Sequence, residues 1–462
     1  MSAADGLHLL TFHGTVVCCD AEGRLVHRPL IAGPGAPPPA TWRYCGGERL
    51  VSSPAGDGGA GPHAMPSSGF LVRPTAAARG RVHLQRASGY LRATPDGMLD
   101  CDVDLPQGWE EFRIISAADL GLLAHLLGHS WIIARTHTVV PAAEVHLLPE
   151  FRLRIGPLTA DFSAGMPAVA EGAGAVPNRL LLFSEGWKIE ELRLFRPLVY
   201  FTVFCRHPDH RQYLRMAVLS IRSFVLFHGP LAEFLLLTNM DREAVLAEVP
   251  GDLRARVHVA GSDVPATNIV DIFAQRYRIA GWDRAADYQP LLYVDTDILF
   301  NADISRALGR IALSPSIMVG EESWNPLRES ESVGAKLFAA DPFESPMTLG
   351  FNSGTIGIPN IADHRLHLRA IAEVIERYAT LHGRASLHWF DQACANYVAA
   401  KIGGFDGRTL TPLIEHVGSS EAKPPSRTGI VHFWGLPDKV AAMEAFLAEF
   451  RAAAALSPTP RA

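Results

Sequence analysis

The run Leu291-Leu292-Tyr293-Val294-Asp295-Thr296-Asp297-Ile298-Leu299-Phe300 constrains this chain more than any other segment. An unbroken apolar stretch of this kind reads as a strand buried on both faces, and such strands belong to α/β sheets covered by helices. Two carboxylates interrupt it at i and i+2. In extended backbone these point the same way, toward one place beyond the strand end, where open α/β sheets bind their ligands. Two buried acids without a partner would be costly, and a hard divalent cation, Mg²⁺ or Mn²⁺, would offset that cost.

The surroundings agree with that architecture. From residue 198 onward, apolar strands alternate with helical patterns. Strands are predicted at 199–205, 233–238, 291–294, 317–320 and 355–358, and helices at 211–227, 268–280, 363–381, 391–401 and 439–456. A βαβ sequence of this kind implies a mostly parallel, Rossmann-like sheet. Residues 196–462 are therefore expected to form one α/β domain. Three further segments carry chemistry. Gly350-Phe351-Asn352-Ser353-Gly354 reads as a small-residue turn entering a strand, allowing close backbone approach to a ligand. Trp389-Phe390-Asp391-Gln392 places an acid and an amide at a helix start, where Asp391 serves either as N-cap or as a site acid. Ile430-Val431-His432-Phe433-Trp434-Gly435 ends a strand on an imidazole, with Lys439 beyond it. Alone, His432 reads more readily as a hydrogen-bonded interior histidine than as a ligand, and Asn352 equally as a turn residue satisfying backbone.

Residues 1–155 read differently, as short strands separated by turns, hence an all-β domain. One group spans 7–27, a second 82–102, and a third 131–155. Between the first two, residues 32–68 are loaded with Gly and Pro and are expected to be long loops. Gly89-Tyr90-Leu91-Arg92-Ala93, a Pro95-Asp96-Gly97 turn and Trp109-Glu110-Glu111-Phe112-Arg113-Ile114-Ile115 together resemble one repeat of a fascin-like β-trefoil. Pro149-Glu150-Phe151-Arg152-Leu153 echoes it, and residues 14–23 mirror 89–97. The resemblance implies a β-trefoil-like domain with Trp109 and Phe112 in its core. Residues 156–195, rich in Gly, Ala and Pro from 160 to 177, are expected to be a linker and connecting segment.

In the second half, D-x-D after an apolar strand, then FNSG, then DQ, then a strand ending His-Phe-x-Gly with a downstream lysine, resembles the glycogenin-like glycosyltransferases of family eight, which have the GT-A fold. The likeness covers residues 198–439, somewhat over half of the 462-residue chain. It implies metal ligands Asp295, Asp297 and His432, and an active-site role for Asp391 and Gln392. It implies donor contacts at Phe204, Cys205, Arg278, Asn352, Ser353, Gly435 and Lys439. It further implies a UDP-hexose donor, Mn²⁺ or Mg²⁺ as cofactor, transfer with retention of anomeric configuration, and a glycan, protein or small-molecule acceptor. The chain departs from the family in its last motif: Lys439 falls one place late and Pro-Trp is missing, which leaves Lys439 either a phosphate contact or a surface lysine.

Two other classes stay open: a carbohydrate-binding protein without catalysis, and a nucleotidyltransferase. The latter calls for a Gly-rich basic loop after the first strand, and Cys205-Arg206-His207-Pro208-Asp209-His210 has no glycine. A formal net charge of −6 weighs against a nucleic-acid partner. Six cysteines without metal spacing suit a reducing compartment. The first residues lack a signal-peptide pattern, and no apolar run reaches the ~18 residues of a membrane span. The expectation is a cytoplasmic protein with no transmembrane segment. Its N-terminal domain could recognise acceptor glycan or mediate self-association as a homo-oligomer.

Overall fold

The computed structural model describes residues 6–22, 24–33, 36–45, 49–53, 71–77, 80–163, 165–170, 177–184, 188–205, 211–262, 269–387, 389, 391–418 and 428–456. The chain divides into two compact units, Met1–Leu194 and Phe195–Ala462.

In the first unit, six strands pair in a closed ring: Leu7–Thr11, Thr41–Cys45, Arg49–Ser53, Leu71–Ala76, Val82–Arg86 and Glu111–Ser116, the last returning to the first. Two hairpins, Val16–Cys19 with Leu25–Arg28 and Gly89–Ala93 with Leu99–Val103, extend from it and meet where Val26 bridges Met98. Leu9, Trp42, Leu50, Leu84 and Phe112 fill a shared core. Closure removes the free strand edges that an open sheet would expose.

This arrangement corrects the repeat assignment. The ring uses strands between residues 41 and 76, not the 131–155 group. Trp42 and Leu50 are buried and pair across Trp42↔Ser52 and Tyr44↔Leu50, but the Gly- and Pro-rich runs beside them hid their alternation. Part of the expected loop, residues 54–68, lies outside the described residues. Phe112 is core as expected, whereas Trp109 is 43% exposed. After the ring, Ser116 caps helix Ala117–Gly128, its Oγ accepting the Asp119 N–H at 3.1 Å. The 131–155 strands enter two other sheets. Trp131–Ile133 pairs with Thr138–Val140 and Lys188–Leu194, and Val145–Leu148 with Arg152–Ile155. The expected linker holds strands Leu158–Asp161, Ala168–Ala170, Arg179–Ser184 and Lys188–Leu194. Leu180, Leu182, Leu192 and Leu194 bury one face of it, because alternation at period two suits a half-covered strand.

The second unit is an α/β domain around a seven-stranded sheet. Its order is Val257–Gly261, Glu233–Thr238, Leu198–Val203, Leu291–Val294, Leu349–Ile358, Ile317–Pro326 and Phe405–Asp406. The first four run parallel, and Leu349–Ile358 is antiparallel to both its neighbours. All four residues of Leu291–Val294 are buried, as a strand at the centre of such a sheet requires. The main core includes Tyr200, Leu235, Leu291, Tyr293, Ile356 and, from helix Ile361–His382, Leu368, Ile371 and Ile375. Residues 350–354, expected to be a turn, lie inside strand Leu349–Ile358, and the strand runs up to Pro359. The predicted 268–280 helix is an α segment, Ile269–Ala274, followed by a 3₁₀ segment, Gln275–Gly281. Among the described residues, no helix is long and apolar enough to cross a membrane.

Candidate metal centre and substrate cleft

Strand Leu291–Val294 delivers Asp295 at its carboxyl end, and the Asp295 N–H donates to the Gly354 carbonyl at 2.8 Å. The chain then passes through Thr296 and Asp297 into a second short strand, Ile298–Phe300, antiparallel to Ile430–His432 with Ile298 opposite His432. The Phe433 N–H donates to the Asp297 carbonyl at 2.9 Å. Two ladders thus fix the three side chains: ligand atoms of Asp295, Asp297 and His432 all lie within 4.8 Å of one another. His432 Nε2 is 3.4 Å from Asp297 Oδ1.

The donor set fits a divalent cation. Two carboxylates and an imidazole, largely withdrawn from solvent, suit Mn²⁺ or Mg²⁺ better than a soft metal. Although burial alone would raise it, the His432 and Lys439 charges hold the Asp297 carboxyl well below the usual range. Burial pulls His432 down, but Asp297 outweighs it and raises the imidazole. Lys439 Nζ donates to Asp297 Oδ2, so this lysine belongs to the site and is not a free surface cation.

Gly354 explains the FNSG segment. A Cβ there would sit 2.6 Å from Asp295 Oδ2 and 2.7 Å from Asn352 Oδ1, closer than real Cβ atoms come. The Asn352 amide is held at both ends, Oδ1 accepting the Gly354 N–H at 2.7 Å and Nδ2 donating to Glu322 Oε1 at 3.2 Å. Burial pushes the Glu322 carboxyl up. Asn396, inside helix Gln392–Ile402, clasps Phe351 by its N–H and its carbonyl at 2.8 and 2.9 Å, tying strand to helix. That brings Gln392 Oε1 to 3.4 Å from the Ser353 N–H.

Asp391 stands at the start of that helix without capping it through its side chain. Only 2% exposed, it accepts from the Tyr277 hydroxyl at 2.6 Å and lies 3.6 Å from Arg276 Nε. Burial raises its pKa, with Arg276 pulling the other way. Arg276 is itself 1% exposed and reaches Asp295 Oδ1 at 3.2 Å and the Ser353 carbonyl at 2.7 Å, beneath the Tyr293 ring. Burial opposes its charge, yet Asp295 and Asp391 hold it firmly protonated. A buried guanidinium with two carboxylate partners is the condition under which burying charge is tolerable.

Arg276, the cluster of Asp295, Asp297 and His432, and Asp391 border one cavity of about 580 Å³. Of the residues singled out in the sequence, Phe204, Asp295, Asp297, Asn352, Ser353, Asp391, Gln392, His432 and Lys439 border it; Cys205, Arg278 and Gly435 do not. Cys205 exchanges backbone hydrogen bonds with the Asn239 amide. Gly435 makes a turn at φ 70°. Arg278 is exposed and does not border the cavity, whereas its neighbour Arg276 does. Residues two apart point to different faces of any helical turn, so only one of Arg276 and Arg278 can face the cavity. No local signal in Gln275-Arg276-Tyr277-Arg278 distinguishes the two. Trp389 and Trp434, 53% and 55% exposed, also border the cavity.

No family model matches the sequence, and no curated protein matches it. Among solved structures, an active-site mutant of LgtC is similar at 15% identity and a TM-score of 0.39, covering 55% of this chain and 95% of that one. The galactosyltransferase LgtC in complex with donor and acceptor sugar analogs has the same identity and score, covering 57% and 96%. Mouse xyloside xylosyltransferase 1, apo form, is 13% identical with a TM-score of 0.33, covering 52% and 97%. Likenesses this faint leave the meaning of the cleft to its own residues.

Proposed function

We propose that the second unit is a metal-dependent glycosyltransferase that moves a hexose, with retention of configuration, from a nucleotide diphosphate sugar, UDP-hexose being the donor implied by the glycogenin-like motif order. The convergence of Asp295, Asp297 and His432 at a strand end, beside a cavity large enough for a nucleotide sugar, carries this reading. A divalent cation bound there supplies Lewis-acid neutralisation of the charge that develops on the departing diphosphate.

The remaining roles belong to the chain's own groups. Lys439 brings a second positive charge to the diphosphate end of the cleft. Arg276 fixes the orientations of Asp295 and Asp391 together. Asn352 and Gln392 present amides to sugar hydroxyls, and Asp391 adds a negative field near the developing cationic sugar. In the transfer, the acceptor oxygen bonds to the anomeric carbon as that carbon's bond to the diphosphate oxygen breaks. The electron pair stays with the diphosphate, and the hydroxyl proton passes to a diphosphate oxygen. No side chain is assigned as general base.

For the first unit, we read the closed ring with its appended hairpins as β-trefoil-like, its repeats being residues 7–45, 49–76 and 82–116. The pairing order supports this.

The test is a donor screen: purified protein, Mn²⁺ and a panel of nucleotide sugars, scored by release of nucleoside diphosphate. Slow hydrolysis of one donor, abolished in Asp295→Ala, is expected. Silence across the panel with glycan binding retained would replace the enzyme by a carbohydrate-binding protein.

A further inference from the structure

Beside the large cavity lies a second, of about 150 Å³, whose wall includes Asn352 and His432, residues that border the first as well. Group transfer needs two substrates that meet, and the two cavities share the lining residues Asn352 and His432. The other sides of the smaller one bring together Trp324, His416, Glu321 and Thr411.

Trp324 is presented there by an irregularity in the sheet. Strand Ile317–Pro326 pairs Glu321 with Phe351 and then Pro326 with Leu349, so its intervening residues outnumber those opposite. Extra residues of this sort break the pleat and re-aim side chains. Trp324 is left 61% exposed, its ring 5.4 Å from that of His416 and nearly perpendicular to it. The Thr411 hydroxyl accepts the Glu321 N–H at 2.9 Å, which fixes the bulged backbone. Behind the wall, Glu322 holds the Asn352 amide.

We propose that this second cavity binds the acceptor as a single terminal pyranoside ring, its apolar C–H face stacked on Trp324 and its hydroxyls toward Glu321, Thr411 and His416. The inference rests on the glycosyltransferase reading and names the acceptor class for that site. An indole face is apolar with a negative quadrupole, and it attracts the weakly positive C–H bonds of a sugar face. The carboxylate, hydroxyl and imidazole supply the directed hydrogen bonds that a stacked sugar otherwise lacks. The small volume accommodates one ring, and the exposure of Trp324 leaves the rest of a longer glycan in solvent.

Binding of methyl α- and β-pyranosides, measured by saturation-transfer NMR and titration with Mn²⁺ and UDP present, tests this. At least one glycoside is expected to bind, at least tenfold more weakly in Trp324→Ala and within about threefold of wild type in Trp324→Phe. Glu321→Gln should weaken it severalfold without changing the stacked face seen by NMR. Equal affinity in wild type and Trp324→Ala, or no binding by any glycoside, overturns the inference. The donor screen reports separately: a donor cleaved while Trp324 proves irrelevant sinks only the acceptor site, and no donor cleaved sinks the enzyme reading.

Discussion

Glu110 and Asp391 are acids nearly sealed from solvent, one in each unit, and they are held in opposite ways. Glu110 accepts the Gln107 N–H at 2.7 Å, three residues away, and serves the turn it sits in. Other buried polar groups of the first unit behave alike, with His8 pairing to the Ala40 carbonyl and Arg113 donating to that of Gly165. Asp391 instead meets Tyr277 and Arg276 from a distant segment and faces a cavity also bordered by Asp295, Asp297 and His432. In the first unit Glu110, His8 and Arg113 satisfy backbone and Glu190 pairs with Arg135, whereas in the second Arg276, Asp295, Asp297 and Asp391 converge on a cavity. That convergence, more than the number of buried ionisable groups, marks a site.

The comparison can be broken by substitution. The largest effect is expected at the candidate metal centre. Asp295→Ala or Asp297→Ala should lower nucleotide release by ~1,000-fold or more, and chelation should do the same to wild type reversibly. Residual activity within tenfold of wild type would detach the carboxylates from the chemistry. Next comes Arg276→Met, which strands Asp295 and Asp391 without their shared cation. Urea denaturation should show a loss of about 3–5 kcal/mol; a loss below 1 kcal/mol would mean the guanidinium does not hold the pair.

Part of the pH response should come from His364 in the second unit. The His364 imidazole is 3% exposed with Nδ1 unpartnered, and burial, then neighbouring His367, lowers its pKa from 6.5 to about 4. The unfolded chain therefore takes up a proton near pH 6.5 that the native state refuses until about pH 4. Stability is full above that window and falls through it as the pH drops, by up to ~3 kcal/mol. His364→Leu should flatten the slope, and an unchanged slope would assign it elsewhere. Smallest are the controls: Glu110→Gln should cost about 1 kcal/mol with activity retained, and Arg278→Ala should stay within ~0.5 kcal/mol and twofold in activity.

The sequence disclosed the second unit better than the first because its signals are short-range. An apolar strand ending in two acids is legible in ten letters, and the ladder that sets His432 against Asp297 only had to join two such segments. Arg276 was not legible, since nothing local in the sequence says which of Arg276 and Arg278 faces the cavity. The ring was half legible. The Pro95-Asp96-Gly97 turn announced itself, but strands Thr41–Cys45 and Arg49–Ser53 are short and lie among Gly and Pro, and besides pairing with each other they join Leu7–Thr11 and Leu71–Ala76. The strands of residues 158–194 were missed because they too are short and lie among Gly, Ala and Pro.

Closure of the ring has one more consequence. Strands Leu7–Thr11 and Glu111–Ser116 are direct partners over their full shared register, Leu7 facing Ser116. The segment therefore starts and finishes at one point in space, like a bracelet at its clasp. A module built this way can be reopened at a hairpin and rejoined at the clasp, or spliced into a host loop, without disturbing the host's path.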